Sequence, residues 1–173
     1  AGWAGAGVDG WLPAPEVTRT ALVAGLDDAM AAQAMSAALQ SPNEVSAAAH
    51  LPAGAAANSS VSYVKDAGRS VTALRVEGPA QSAHARCAAL RALLAPYGET
   101  EELHSVNSGR FWTELRDAEP VTGGDFPAVW KVSVAPMDGP GVAAAVLQAV
   151  PQAAHFFDWG GGLVWFALPA LPD

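Results

Sequence analysis

The chain is poor in cysteine, poor in positive charge, and without a long apolar run. One cysteine, Cys87, in 173 residues leaves no intrachain disulfide and points away from an oxidising compartment, so the thiol reads as a small buried hydrophobe. Nine Lys and Arg against 17 Asp and Glu give a net charge of −8, and such a surface repels a polyphosphate backbone. Nucleic acid is therefore not an expected partner. No stretch approaches the ~18 consecutive apolar residues of a membrane span, and no basic segment precedes an apolar one at the start. The expectation is a soluble, cytoplasmic protein. Alanine, by contrast, is abundant: it drives the 51% hydrophobic content and adds helix propensity with little side-chain area. A chain of this length buries roughly two-thirds of its unfolded surface and needs neither disulfide nor metal to fold.

Patterning alternates between strand-like and helix-like segments. Residues 1–15 have glycines, prolines and two tryptophans without a period, the composition of a linker or N-terminal arm. The stretch 16–25 is rich in β-branched residues and stops at Gly25, as a strand does. Asp27 and Asp28 then open a helix whose acids complement the N-terminal dipole and whose Leu26, Met30, Ala34 and Ala37 share a face. A second strand is predicted over 44–51, followed by a loop over 52–65. In 69–78, Leu74 and Val76 alternate with Arg75 and Glu77, a half-buried strand. Pro79 starts a helix with Ala83, Cys87, Leu90 and Leu94 on its stripe, and Pro96 and Gly98 stop it. Glu99, Glu101 and Glu102 read as a solvated acidic surface around a short strand. Ser108 is the expected N-cap of a helix with Phe111 and Leu115 one turn apart. "AVWKVSVAP" (128–136) alternates as a strand, and a helix is predicted from about 142 to 150. The order predicts an α+β fold: a mostly antiparallel sheet with helices packed on one face, built as a ferredoxin-like βαββαβ unit plus a second, incomplete αβαββ unit.

Motifs of cofactor chemistry fail on context. Gly5 to Gly10 match G-x-G-x-x-G, yet no strand precedes them and Pro13 and Pro15 obstruct a following helix. Gly160-Gly161-Gly162 precede the β-run "LVWFALP", so they read as a hairpin turn and not as a phosphate cradle. Both faces of that hairpin are apolar, which predicts cover on both sides, with another domain a candidate for one of the covers. His50, His84, His104 and His155 are far apart in sequence without ligand spacing, so no metal site is expected. No G-x-S-x-G occurs, and no catalytic residue is assigned. Arg75 and Lys131 occupy strand positions opposite core-facing neighbours, where they can line a wall for an anion or a second domain.

The order of "RFWTELRD" (110–117), "AVWKVSVAP" and "FDWGGGLVWFALP" (157–169) resembles the FAD-binding subunit of bacterial glycolate oxidase, among the vanillyl-alcohol-oxidase-like flavoproteins. The segments "WLPAPEVTRTALVAGLDDAMAAQAMSAALQSPNEVSAAAHLP" and "VTALRVEGPAQSAHARCAALRALLAPYG" are similar to the same family, in the same order. The resemblance covers nearly everything from Trp11 onward. It implies that 16–173 is the C-terminal cap domain alone, with the FAD-binding domain absent from this chain, FAD bound only in the parent protein, and the fragment inactive by itself. It further implies oxidation of a small 2-hydroxy acid by the parent. The expected partners are the FAD-binding domain, companion oxidase subunits, and a second copy through the exposed cap face. Arg75, Arg110 and Lys131 are then candidates for the charged wall, and Trp112 and Trp159 for the side facing flavin or partner. The alternative is a stand-alone ferredoxin-like module that binds a small ligand or a protein.

Overall fold

Runs in which alternate side chains are apolar fold here as strands, most of them covered on both sides, though 128–133 stays largely exposed. The computed structural model describes residues 15–122 and 126–170, so the arm expected over 1–15 lies, but for Pro15, outside the described residues. In chain order the elements are β1 (Val17–Ala24), α1 (Asp28–Leu39), β2 (Ala47–Leu51), α2 (Ala53–Ala56), α3 (Ser62–Lys65), β3 (Val71–Gly78) and α4 (Ala80–Leu94). There follow β4 (Thr100–Leu103), α5 (Ser105–Arg116), α6 (Glu119–Thr122), β5 (Ala128–Ser133), α7 (Gly139–Ala149), β6 (Ala154–Asp158) and β7 (Leu163–Leu168). Short 3-10 turns span Pro136–Asp138 and Trp159–Gly161.

The seven strands form one sheet in the order β4-β1-β3-β2-β6-β7-β5, antiparallel at every pairing. Its first four strands are the predicted βαββαβ unit, and α5 to β7 supply the predicted αβαββ unit. The α+β class and the antiparallel sheet stand as the sequence predicts.

Alternation sorts the core into layers. Ala21, Val23, Leu74 and Val76 pack against Met35 of α1 and Cys87, Leu90 and Leu94 of α4. Phe157, Val164 and Phe166 continue that layer under Ala143 of α7. Leu22, Leu51, Val71 and Ala73 point the other way, onto Phe111, Trp112 and Leu115 of α5. Helices α1, α4 and α7 thus share one face, whereas α5, as long as α1, covers the second with the short helices, so the helices lie on both faces and not on one as predicted. Each fully buried Leu or Phe contributes about 1.5–3 kcal/mol. Helices of this chain lie against both faces of the β6–β7 hairpin, with Asp158 and Trp165 left lining an open cleft.

Helix α5 is held to the sheet by polar contacts that the sequence did not disclose. Thr20 Oγ1, fully buried on β1, lies 2.6 Å from Ser108 Oγ and accepts the Trp112 indole N–H at 2.8 Å. Ser108 is therefore not the cap: α5 begins a turn earlier, after His104, and Ser108 is buried within it. Buried Glu114 accepts bonds from Ser59 Oγ at 2.7 Å, from the Ser60 N–H at 3.0 Å and from the Ser60 hydroxyl. These bonds pin a segment that forms the one-turn helices α2 and α3 instead of the predicted loop. Glu102 is likewise not solvated. Its side chain is 10% exposed and pairs with Arg19.

The two units meet at one narrow seam. Whereas β1 and β3 pair over eight residues, β2 and β6 share the single bridge His50–Phe157. Beside it the Asp28 carboxylate, in the first turn of α1, lies 3.1 Å from His155 Nε2 and 3.3 Å from the fully buried His50 Nε2. His50 Nδ1 and Thr72 Oγ1 are 2.8 Å apart. Burial alone would raise the Asp28 carboxyl, but the bonds from His155 and His50, and their charge, hold it well below the usual carboxylate range. The folded carboxyl titrates below the unfolded one, so its contribution is whole above the unfolded value near ~4 and is lost as pH falls through the folded value. Asp28→Asn is expected to cost about 1–3 kcal/mol in urea unfolding at pH 7. The gap between variant and parent should narrow below about pH 4; a gap that is absent at pH 7, or that keeps widening below about pH 4, would contradict the role of the clasp.

Candidate functional site

Where β6 leaves β2 after its one bridge, the surface opens into a cleft of about 710 Å³. Strand β3 supplies Arg75 and Glu77, β5 supplies Lys131, and β7 supplies Trp165. Asp158 ends β6, Trp159 follows it at the rim, and Trp112 and Arg116 reach in from α5.

Each strand cation lies over an indole. The Arg75 guanidinium is 5.2 Å from the Trp112 ring centroid, and its Nε donates to Ser46 Oγ at 3.0 Å and faces Glu77 at 3.3 Å. The Lys131 ammonium is 4.2 Å from the centroid of Trp165, the residue it opposes across β5 and β7. Trp165 in turn stacks on Phe156 with centroids 5.9 Å apart and planes 10° from parallel. Quadrupole attraction orients both cations without neutralising them, although Arg75 shares its charge with Glu77.

Asp158 completes this wall. Burial pushes its carboxyl up, and the Trp159 N–H bond together with the Arg75 and Lys131 charges pulls it back without cancelling the rise. The Trp159 N–H donates to Asp158 Oδ1 at 2.8 Å. That bond holds the start of a left-handed run, with φ of +51° at Trp159, +67° at Gly160 and +99° at Gly161. A bulky residue at positive φ is strained, yet Trp159 is 67% exposed at the cleft rim, so burial of its ring does not compensate.

The glycine triplet serves backbone contact. A Cβ on Gly161 would sit 2.6 Å from the Pro136 carbonyl, and one on Gly160 would meet the Leu39 side chain at 2.5 Å. The triplet leads into β7, as the hairpin reading predicts.

Of the residues singled out from sequence, Arg75, Lys131, Trp112 and Trp159 converge on this cleft. Arg110 is exposed on α5 and does not line it. Sequence reasoning missed Asp158 and Trp165. The alternation of "HFFDW" places Asp158 on the face of Phe156 and gave a usable signal, whereas the pairing of Lys131 with Trp165 depends on register. His50 and His155 meet on Asp28, and among the described residues no group of three or more His, Cys, Asp or Glu is disposed to hold a metal ion. Burial pushes the Cys87 thiol up to about 12, which keeps it protonated and unreactive. Among the described residues no helix is long and apolar enough to cross a membrane.

No family model matches the chain, and no curated protein matches it. Its fold is similar to that of p-cresol methylhydroxylase with substrate bound, at a TM-score of 0.62 and 12% identity. It is also similar to alkyldihydroxyacetonephosphate synthase (0.60, 12%) and to 4-ethylphenol oxidase from Gulosibacter chungangensis in an isoeugenol complex (0.56, 11%). Each match covers 91% of this chain but only 40%, 37% and 40% of those chains, so the chain spans about two-fifths of their length. At such identity the likeness establishes a shared fold.

Substituting Gly161 tests the close approach that shapes the cleft rim. Gly161→Ala, strained in φ and in contact with backbone, is expected to lower stability by about 1–3 kcal/mol. Gly141→Ala, on α7 with nothing within 4 Å of its would-be Cβ, is expected to be neutral or stabilising by about 0.5–1 kcal/mol. Equal unfolding midpoints for the two variants would contradict this packing.

Proposed function

We propose that this chain is the substrate-side cap of a flavin-dependent oxidase of 2-hydroxy acids, working beside an FAD-binding domain elsewhere in the parent protein. Two independent lines support the reading: the sequence resemblance to the glycolate oxidase FAD-binding subunit, and a fold shared with oxidases and a synthase of which this chain spans the smaller part. The observation that carries it is the charge of the cleft. Three of the nine basic residues line it, against two of the 17 acidic ones, in a chain of net charge −8. A carboxylate is the ligand such a wall attracts, and Arg75 and Lys131 are the groups to pair with it.

The residues present fit one part of a flavin better than another. The glycine triplet runs into a strand, so it offers no helix N-terminus for a pyrophosphate, and the dinucleotide half belongs to the other domain in this reading. The exposed indole of Trp159 suits cover over the ring or contact with that domain, with Trp112 set behind Arg75. The flavin, when bound, supplies the acceptor for the hydride lost from the α-carbon. The chain's own task is to orient the acid's carboxylate and exclude water around it. Glycolate as substrate, companion subunits, a cytoplasmic setting, self-association through the exposed face and inactivity of the isolated cap complete the proposal.

Titration with FAD tests it. The chain alone is expected to take up no stoichiometric FAD and to leave glycolate unoxidised, while joining it to an FAD-binding domain of a glycolate oxidase restores both. Stoichiometric uptake and oxidation by the chain alone would overturn the cap assignment.

A further inference from the structure

The cations of the cleft account for the carboxylate of a 2-hydroxy acid and leave its hydroxyl without an assigned partner. One acidic side chain is placed to meet it. Asp158 ends β6, half-buried, and lines the same cleft as Arg75 and Lys131. Register sets it on their side of the sheet: Phe156 opposes Trp165, Trp165 opposes Lys131, and Asp158 follows Phe156 on the same face. Its Oδ1 accepts the Trp159 N–H at 2.8 Å, which fixes the carboxyl against the backbone. Among the described residues the hydrogen bonds of the carboxyl end there, so Oδ2 is left to the cleft. The other acid of the cleft, Glu77, already faces Arg75 at 3.3 Å.

We propose that Asp158 binds the hydroxyl of the 2-hydroxy acid through Oδ2 and accepts its proton as the acid is oxidised. The inference rests on the cap reading and adds a catalytic residue to it. A carboxylate drawn to Arg75 and Lys131 brings the hydroxyl on its adjacent carbon toward a carboxyl on which both cations act. In the step itself the O–H bond breaks, its proton goes to Oδ2, and its electron pair forms the second C–O bond. The α-carbon gives up its hydrogen with the C–H pair, as hydride, to the flavin of the other domain. The acid thereby loses two electrons and leaves as the 2-oxo acid. Burial favours the neutral carboxyl, which makes Asp158 a better proton acceptor than an exposed aspartate. The charged groups lining the cleft around it are Arg75 and Glu77 of β3, Lys131 of β5 and Arg116 of α5, whereas Asp28, His50 and His155 meet on the opposite face. The arrangement asks only for a carboxylate and an adjacent hydroxyl, and glycolate has both.

The test follows the backbone N–H of Trp159 in the 15N-labelled chain by NMR, with glycolate and with acetate, which lacks the hydroxyl, as probes. The expected result is saturable shifts, with half-saturation by glycolate about fivefold or more below that by acetate. Asp158→Asn keeps an oxygen for the Trp159 N–H but puts a donor where the acceptor stood. It should cut the preference for glycolate by about threefold or more while the remaining spectrum shows the fold intact. A preference unchanged in the variant, or no saturable binding of glycolate, would overturn the inference. In the chain joined to an FAD-binding domain, Asp158→Asn is expected to lower kcat for glycolate by about a hundredfold or more, with KM changed by less than about tenfold. The parent's kcat should fall on acidification through an ionisation above the usual aspartate range, and the variant's residual rate should lack that limb. Equal kcat values, or the same acid limb in both, would count equally against it. Failure of the cap reading is separately visible as absent FAD uptake by the joined protein, which does not depend on Asp158.

Discussion

Everything that resembles a site in this molecule depends on the continuity of one sheet across a single bridge, His50 to Phe157. Arg75 belongs to the first unit and Lys131 to the second, so neither unit alone makes a two-sided wall. The backbone offers little at the seam. What reinforces it is one carboxylate, Asp28, reaching from α1 to imidazoles on β2 and β6. A charge placed in a partly buried setting is costly unless its bonds are made, and here both oxygens face a histidine. The seam is held by chemistry that acts on three elements at once, which is why so short a backbone contact suffices.

The opposite face is held in a similar way, by one polar group that several elements share. Thr20 is a polar residue at the centre of β1, and its hydroxyl joins Ser108 and Trp112 in one buried group. Trp112 consequently has two roles: its N–H is bound to the sheet, and its ring face remains for Arg75. The cleft wall is rigid on this side because the indole cannot turn without leaving its own buried N–H unpaired. On the other side, Lys131 and Trp165 are placed by strand register, with Trp165 stacked on Phe156. The rim residue Trp159 is held by the Asp158 carboxylate through a backbone left-handed at three successive positions. Protein surfaces seldom keep a bulky exposed side chain in strained backbone without a use for it.

Much of this architecture is legible in the sequence. Alternation in "RSVTALRVEG" and "AVWKVSVAP" locates β3 and β5 and picks out Arg75 and Lys131, because a period of two separates the faces of a strand. The glycine triplet is legible as a turn because a β-run, and not a helix, comes directly after Gly162. Other features were hidden for physical reasons. Ser108 resembles a cap by type, but whether a hydroxyl caps a helix or buries against a strand depends on an element 88 positions away. Glu102 sits in an acidic run that suggests solvation, and only the fold brings Arg19 and Arg91 to it from other elements. Asp28, His50 and His155 carry no spacing signal at all, since their meeting is created by strand order. Register likewise decides that Trp165, and not Val164 or Phe166, lies under Lys131.

The central claim is that the face carrying Arg75 and Lys131 is the one that meets the flavin. A crystal structure of this chain joined to an FAD-binding domain tests it most directly. The expected result has the cleft over the flavin ring, with Arg75 still on Trp112 and Lys131 still on Trp165. A flavin lying against the α1, α4 and α7 side, or a cleft opening to solvent away from the cofactor, would contradict the account.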